Sequence, residues 1–432
     1  MKKTSTLIIV PVIGLALLAS LSARALAGTV EVGTCKSGFV QFPTIQGAVN
    51  ASPAGTTILV CPGTYPEQVL INKALTVKGI ADPVSFAAAA VLVAPTGGIV
   101  QNATSLSSGK PIGAQIAVVQ PPTGMVNISN LTVDGNNSTI TCGPPTLVGI
   151  LFQNASGTIS HVQAINQTLG PNNGCQNGLG IFVQSGNSGT STVTISASHV
   201  ENYTKNGITG NEAGTTVHIT GNTVQGQGPT TGAAENSIQI GFGATGTVTS
   251  NVVGDDIWAP DTISDTGDAA SGILVYASPN VTVSGNTVSS TQFGIVYVTD
   301  PAVGSADGGI IKMNKVSATH IFDGIDLCNN NNMVQNNTIN GSDESGIHVD
   351  SSCTNFGVGG STGSGDSISA NTINGACDGI MIGTAAGVNS IGPNTFFNAG
   401  HTTATADQCT PPLARVRLPK SAQQRPFKPA RP

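Results

Sequence analysis

The fold predicted for this chain is a solenoid of short parallel β-strands, roughly 10–13 coils under a short N-terminal helix. Three observations predict it: an unusual composition, an internal repeat, and apolar alternation within each repeat. Of 432 residues only 9% are Asp, Glu, Lys or Arg and 55 are glycine, whereas an ordinary soluble domain is about 25% charged. Exposed helix faces are built from Lys and Glu, so a helical bundle or coiled coil is excluded. At 39% hydrophobic the chain can still bury a long core, which excludes a disordered middle.

In chain order, residues 1–27 read as a signal peptide. Lys2 and Lys3 precede an apolar stretch from Leu7 to Leu21, and Ala25-Leu26-Ala27 supplies small residues for cleavage near Ala27. The expected location is secreted, periplasmic or cell surface. No other apolar run approaches the roughly 20 residues that span a bilayer, so the mature protein is expected to carry no transmembrane segment. Eight cysteines in an exported chain point to disulfides. Their order proposes Cys35 with Cys61, Cys142 with Cys175, Cys328 with Cys353, and Cys377 with Cys409. None has the C-x2-C spacing of a zinc site.

Residues 28–409 form the expected solenoid domain. At its start, Phe42 to Asn50 carries apolar Ile45, Ala48 and Val49, the stripe of a short helix suited to covering the first coil. Two patterns then recur. One is a strand followed by Asn and a β-branched pair, at Asn222, Asn251, Asn286, Asn314, Asn337, Asn371 and Asn394, with spacings from 23 to 35 residues. The other is Gly-Ile-x-aliphatic, at Gly272, Gly294, Gly324, Gly346 and Gly379, with looser relatives at Gly149, Gly180 and Gly207. A minimum period near 23 with variable insertions means one coil per repeat, identical side chains stacking about 4.8 Å apart. The asparagines are expected to take left-handed backbone conformations and to hydrogen-bond along the stack. Residues 410–432 hold six basic residues, six prolines and no acid, the composition of a disordered tail.

The formal charge of −6 conceals that tail. Removing its six cations and the three of the signal leaves 16 − 6 − 3 = 7 basic against 22 acidic residues, a net of −15. Phosphate neutralisation needs clustered cations, so nucleic acid is excluded as a partner of the body. The expected partner is a polysaccharide or cell-envelope glycan, met by a monomer.

The order of helix, strand, Pro62-Gly63-Thr64-Tyr65, strand and Gly79 resembles the opening of the right-handed parallel β-helices of the pectin-lyase-like superfamily. That superfamily includes NosD-like repeat proteins and pectin esterases, and the likeness covers about residues 40 to 400. It implies a right-handed parallel β-helix but not one activity, because lyases, hydrolases, esterases, epimerases and non-catalytic surface proteins share the fold.

No arginine lies between Arg24 and Arg415. Pectin esterases pair aspartates with an arginine, so neither that set nor an arginine-dependent pectate lyase assembles here; a lysine-based lyase would draw on Lys205, Lys312 or Lys315. Asp323-Gly324-Ile325-Asp326-Leu327 resembles the D-G-I-D run of polygalacturonases, but Phe322 replaces their Thr and their G-H-G histidine is absent. If an enzyme, the chain is expected to be glycan-active in the manner of a glycoside hydrolase. Copper handling, associated with NosD-like relatives, would have only His348 and Met381 as a pair.

Stacking Gly324, Gly346 and Gly379 on successive coils puts Asp326, His348 and Met381 on one outward column, with Asp323, Asp350 and Asp378 beside them, and this outward strand face is the expected floor of an acidic groove. These four aspartates and His348 are the candidate catalytic residues: carboxylates near 5 Å apart suit retaining glycoside hydrolysis and a wider pair suits inverting chemistry, and His348 can relay a proton. The bland alternative is a solvated face with His348 paired to Asp326. A second candidate is the insertion holding Asp255, Asp256, Asp261, Asp265 and Asp268 around Trp258, the one tryptophan. Its carboxylates are candidate Ca2+ ligands and its indole a candidate sugar platform, set against an acidic loop with Trp258 packed on the solenoid. The competing class for the whole protein is a non-catalytic structural or adhesive surface protein.

Overall fold

The computed structural model describes residues 28–80, 90–121, 123–169, 175–230, 232–258, 269–351 and 360–405. They form a β-helix of three long sheets with 14, 12 and 13 strands. Each winding contributes one strand to each sheet, and nearly every pairing is parallel and in register. The single described helix, Ile45–Ala51, buries Ile45, Ala48 and Val49 against the first coil, the three positions its sequence marks. Thr44 caps it by accepting from the Gly47 N–H. Glu67, at the end of the Pro-Gly-x-Tyr strand, accepts from the Ile45 and Gln46 N–H groups at 2.8 Å each, placing a carboxylate at the positive end of the helix.

One core fills the interior. In the third sheet Ile150, Ile181, Ile208, Ile238, Ile273, Ile295, Ile325, Ile347 and Ile380 stack in consecutive register and are fully buried. The glycine before each isoleucine is steric in origin. A Cβ on Gly294 would stand 2.3 Å from the Gly324 carbonyl oxygen and 2.5 Å from Val316 of the second sheet. Ser237 occupies this column in one coil, between Gly207 and Gly272.

The asparagine ladder forms, with a correction to its geometry. From Asn222 to Asn371 each side chain donates to the Oδ1 of the next at 2.9–3.0 Å, and that same Oδ1 accepts the backbone N–H. The left-handed residue is the one before: Gly221, Ser250, Gly285, Met313, Asn336 and Ala370 have φ between 54° and 67°. A single left-handed residue makes the corner, which leaves the following asparagine free to turn its amide inward.

Cys35–Cys61 and Cys142–Cys175 are disulfides. Cys328 and Cys377 are also disulfide-bonded; their proposed partners Cys353 and Cys409 lie outside the described residues, as do residues 1–27, expected to be a signal peptide, and the basic segment 410–432. Among the described residues no helix is long and apolar enough to cross a membrane.

Candidate functional site

The predicted column exists. Asp326 pairs in register with His348, and His348 with Met381. Asp323 sits in the turn before the strand Ile325–Cys328, close enough for its Oδ2 to lie 3.2 Å from His348 Nδ1. The Asp326 Oδ2 is 3.8 Å from the same nitrogen. Asp323, Asp326 and His348 together bring three potential ligand atoms within 4.8 Å of one another. Asp323 is fixed from its other side by the Ser345 N–H, which donates to Oδ1 at 2.8 Å.

Among the described residues this column is buried rather than solvated. Asp326 is 2% exposed and His348 7%. Coils nearer the N-terminus explain why: the same outward column carries Leu151, Phe182, Leu274 and Val296, all buried in two apolar clusters outside the main core. Over the middle coils Phe293 and Phe322 stack with ring centroids 4.3 Å apart. The outward face of the third sheet is therefore a second buried layer, and the charged cluster lies at its C-terminal end.

Burial shapes the electrostatics. Desolvation raises the Asp326 carboxyl well above the usual carboxylate range; His348 opposes this, while Asp323, Asp350 and Glu344 add to it. For His348, desolvation favours the neutral ring, but Asp323, Asp326 and Asp350 overcome it and push the imidazole up to about 10. Asp326 Oδ1 and the hydroxyls of Ser342 and Ser345 are buried without a hydrogen-bond partner.

Two other predicted residues stand apart. Asp350, just past the strand Ser345–Val349 that carries His348, donates its N–H to the Leu327 carbonyl and reaches the cluster through charge. Asp378 binds His401 Nδ1 at 2.8 Å. His401 carries no repeat signature, so the sequence offered no signal for it.

The aspartate-rich insertion is divided. Asp261, Asp265 and Asp268 lie outside the described residues. Asp256 is fully buried and Asp255 half-buried. Asp256 accepts from Tyr203 Oη at 2.8 Å and Ser237 Oγ at 2.5 Å, and desolvation pushes it up to about 8. Glu235, beside it, is also raised well above its ordinary value by burial and by Asp256. Trp258 is 8% exposed, so the indole packs on the solenoid and offers no open platform; its backbone N–H donates to Gln292 Oε1. A pocket of about 440 Å³ lies between Gln120 and Thr190, and no titratable side chain lines it.

The family model described as "Periplasmic copper-binding protein (NosD)" matches residues 236–409. No curated protein matches the chain. Among solved structures it is similar to the A-module of the mannuronan C-5 epimerase AlgE6 of Azotobacter vinelandii, at 14% identity over 85% of this chain and 91% of that one, with a TM-score of 0.52. The catalytic domain of a GH87 alpha-1,3-glucanase in complex with nigerose matches at 13% identity over 90% and 68%, with a TM-score of 0.55. The Dettilon tailspike protein matches at 15% over 78% and 62%, with a TM-score of 0.52. These likenesses establish the fold: a right-handed parallel β-helix. The donor set here does not fit a soft copper site, since described cysteines are all disulfide-bonded and one imidazole with two carboxylates is a hard, oxygen-rich combination.

Proposed function

We propose that this is an exported β-helix protein that binds and processes extracellular carbohydrate, with Asp323, Asp326 and His348 as its reacting groups. The observation that carries this reading is the convergence of two aspartates and one histidine within 4.8 Å on the outward side of adjacent coils, the combination able to move a proton to or from a sugar. The disulfides fit an oxidising compartment. Carbohydrate-active proteins recur among its structural neighbours, which supports the substrate class at the level of fold only. The net charge of −15 in the body favours neutral glycans over acidic ones.

The test is incubation of wild type and Asp326→Asn with neutral and acidic polysaccharides, scoring product release and binding. The variant should lose activity by about 100-fold or more while keeping its β-sheet circular dichroism. Equal activity in the variant would remove these residues from the reaction, and no binding to any glycan would remove the reading. The sealed outward face favours a second reading, a non-catalytic structural or adhesive protein, which predicts that last outcome.

A further inference from the structure

We propose that Asp323, Asp326 and His348 hold a first-row divalent cation of the Zn2+ or Mn2+ class. This concerns the same cluster as the proposed glycan site but stands on a separate argument. Bonds of about 2.0–2.2 Å to one cation place neighbouring ligand atoms roughly 3–3.5 Å apart. His348 Nδ1 lies 3.2 Å from Asp323 Oδ2 and 3.8 Å from Asp326 Oδ2, so a small contraction closes the shell. The cluster sets one imidazole against two carboxylates, Asp323 and Asp326. A buried polar atom left without a partner is costly, and Asp326, 2% exposed, keeps its Oδ1 with no hydrogen-bond partner among the described residues. The Ser345 hydroxyl, also buried and unpartnered, stands on the residue whose N–H holds Asp323 in place. Two carboxylates and one imidazole suit Mn2+ and Zn2+ better than the thiolate- or thioether-preferring ions.

The full chain, stripped of metal with chelator, is titrated with Zn2+ and in parallel with Mn2+ by calorimetry, without glycan. Wild type should bind one cation per chain and melt at a higher temperature with it. Asp326→Asn and His348→Gln should each weaken binding by roughly tenfold or more and lose the thermal shift. A Co2+-loaded sample should show visible absorption that both variants lose, a signal that a merely structural role for these residues would not produce. Absence of binding to wild type, or unchanged affinity in both variants, overturns the assignment. Should one variant fail to fold, the other with the Co2+ spectrum still decides. Because cation binding is read without carbohydrate, its failure leaves the glycan reading standing, and failure on the glycan panel leaves the cation site standing.

Discussion

Asp256 is a carboxyl kept in the interior of a solenoid, and its surroundings make stability depend on pH. Its folded value of about 8 lies above the ordinary 3.8, so between those values the unfolded chain releases a proton that the folded chain retains. Stability is therefore full in acid and declines as pH rises toward 8, with Glu235 shifted in the same direction. Wild type should melt at a lower temperature at pH 9 than at pH 5, a difference on the order of a few kcal/mol. Asp256→Asn should flatten that slope, and thermal denaturation across the range checks it; an unchanged slope would place the coupling elsewhere. The sequence carried a trace of this cluster, because Ser237 interrupts a glycine column and its hydroxyl reaches Asp256. Gly294 makes the complementary point. Gly294→Ala forces a methyl onto a neighbouring backbone oxygen and should destabilise by about 1–3 kcal/mol in denaturant unfolding.

At the scale of the element, the asparagine ladder is cooperative in one direction. Asn286 donates to Asn314 Oδ1 and the Val248 carbonyl, and accepts from both the backbone and the side chain of Asn251. Asn286→Ala would orphan several buried groups at about 1–3 kcal/mol each, whereas Asn394 is half-buried at the end of the stack, where water can replace the bonds its side chain makes. Chemical denaturation of the two alanine variants should show the interior one markedly less stable; equal losses would mean the ladder is not a chain of dependent bonds. Much of this was legible beforehand. The spaced asparagines, the Gly-Ile signature and the helix stripe follow from periodicity, which is local. The left-handed corners were only partly legible: Gly221 and Gly285 advertise them, Ser250, Met313 and Ala370 do not. The buried outward face was also missed, although Leu274 and Val296 occupy its outward positions. Alternation shows which way a side chain points and not what lies over it.

For the whole molecule, the two ends differ. The first coil is closed by the helix and by the Cys35–Cys61 disulfide. The last described strands, Ser390–Ile391, Thr395–Phe397 and His401–Ala404, are largely exposed. In a stack held by nearest-neighbour contacts, the exposed coil should open first, and hydrogen exchange should find amides of residues 390–404 exchanging well ahead of those in the central coils. Uniform protection along the axis would contradict this. The candidate cluster, in coils that close between Asp323 and Met381, lies nearer the weaker end.

Neighbouring ladder asparagines are separated by as few as 23 and as many as 35 residues, yet the bonds between them have the same length. The rise of the wall is thus independent of how much chain is spent at its corners. Such a scaffold is tolerant of editing: decorations can be lengthened, exchanged or removed at the rim while the wall beneath keeps its pitch, so chemistry can change at one coil without renegotiating the rest.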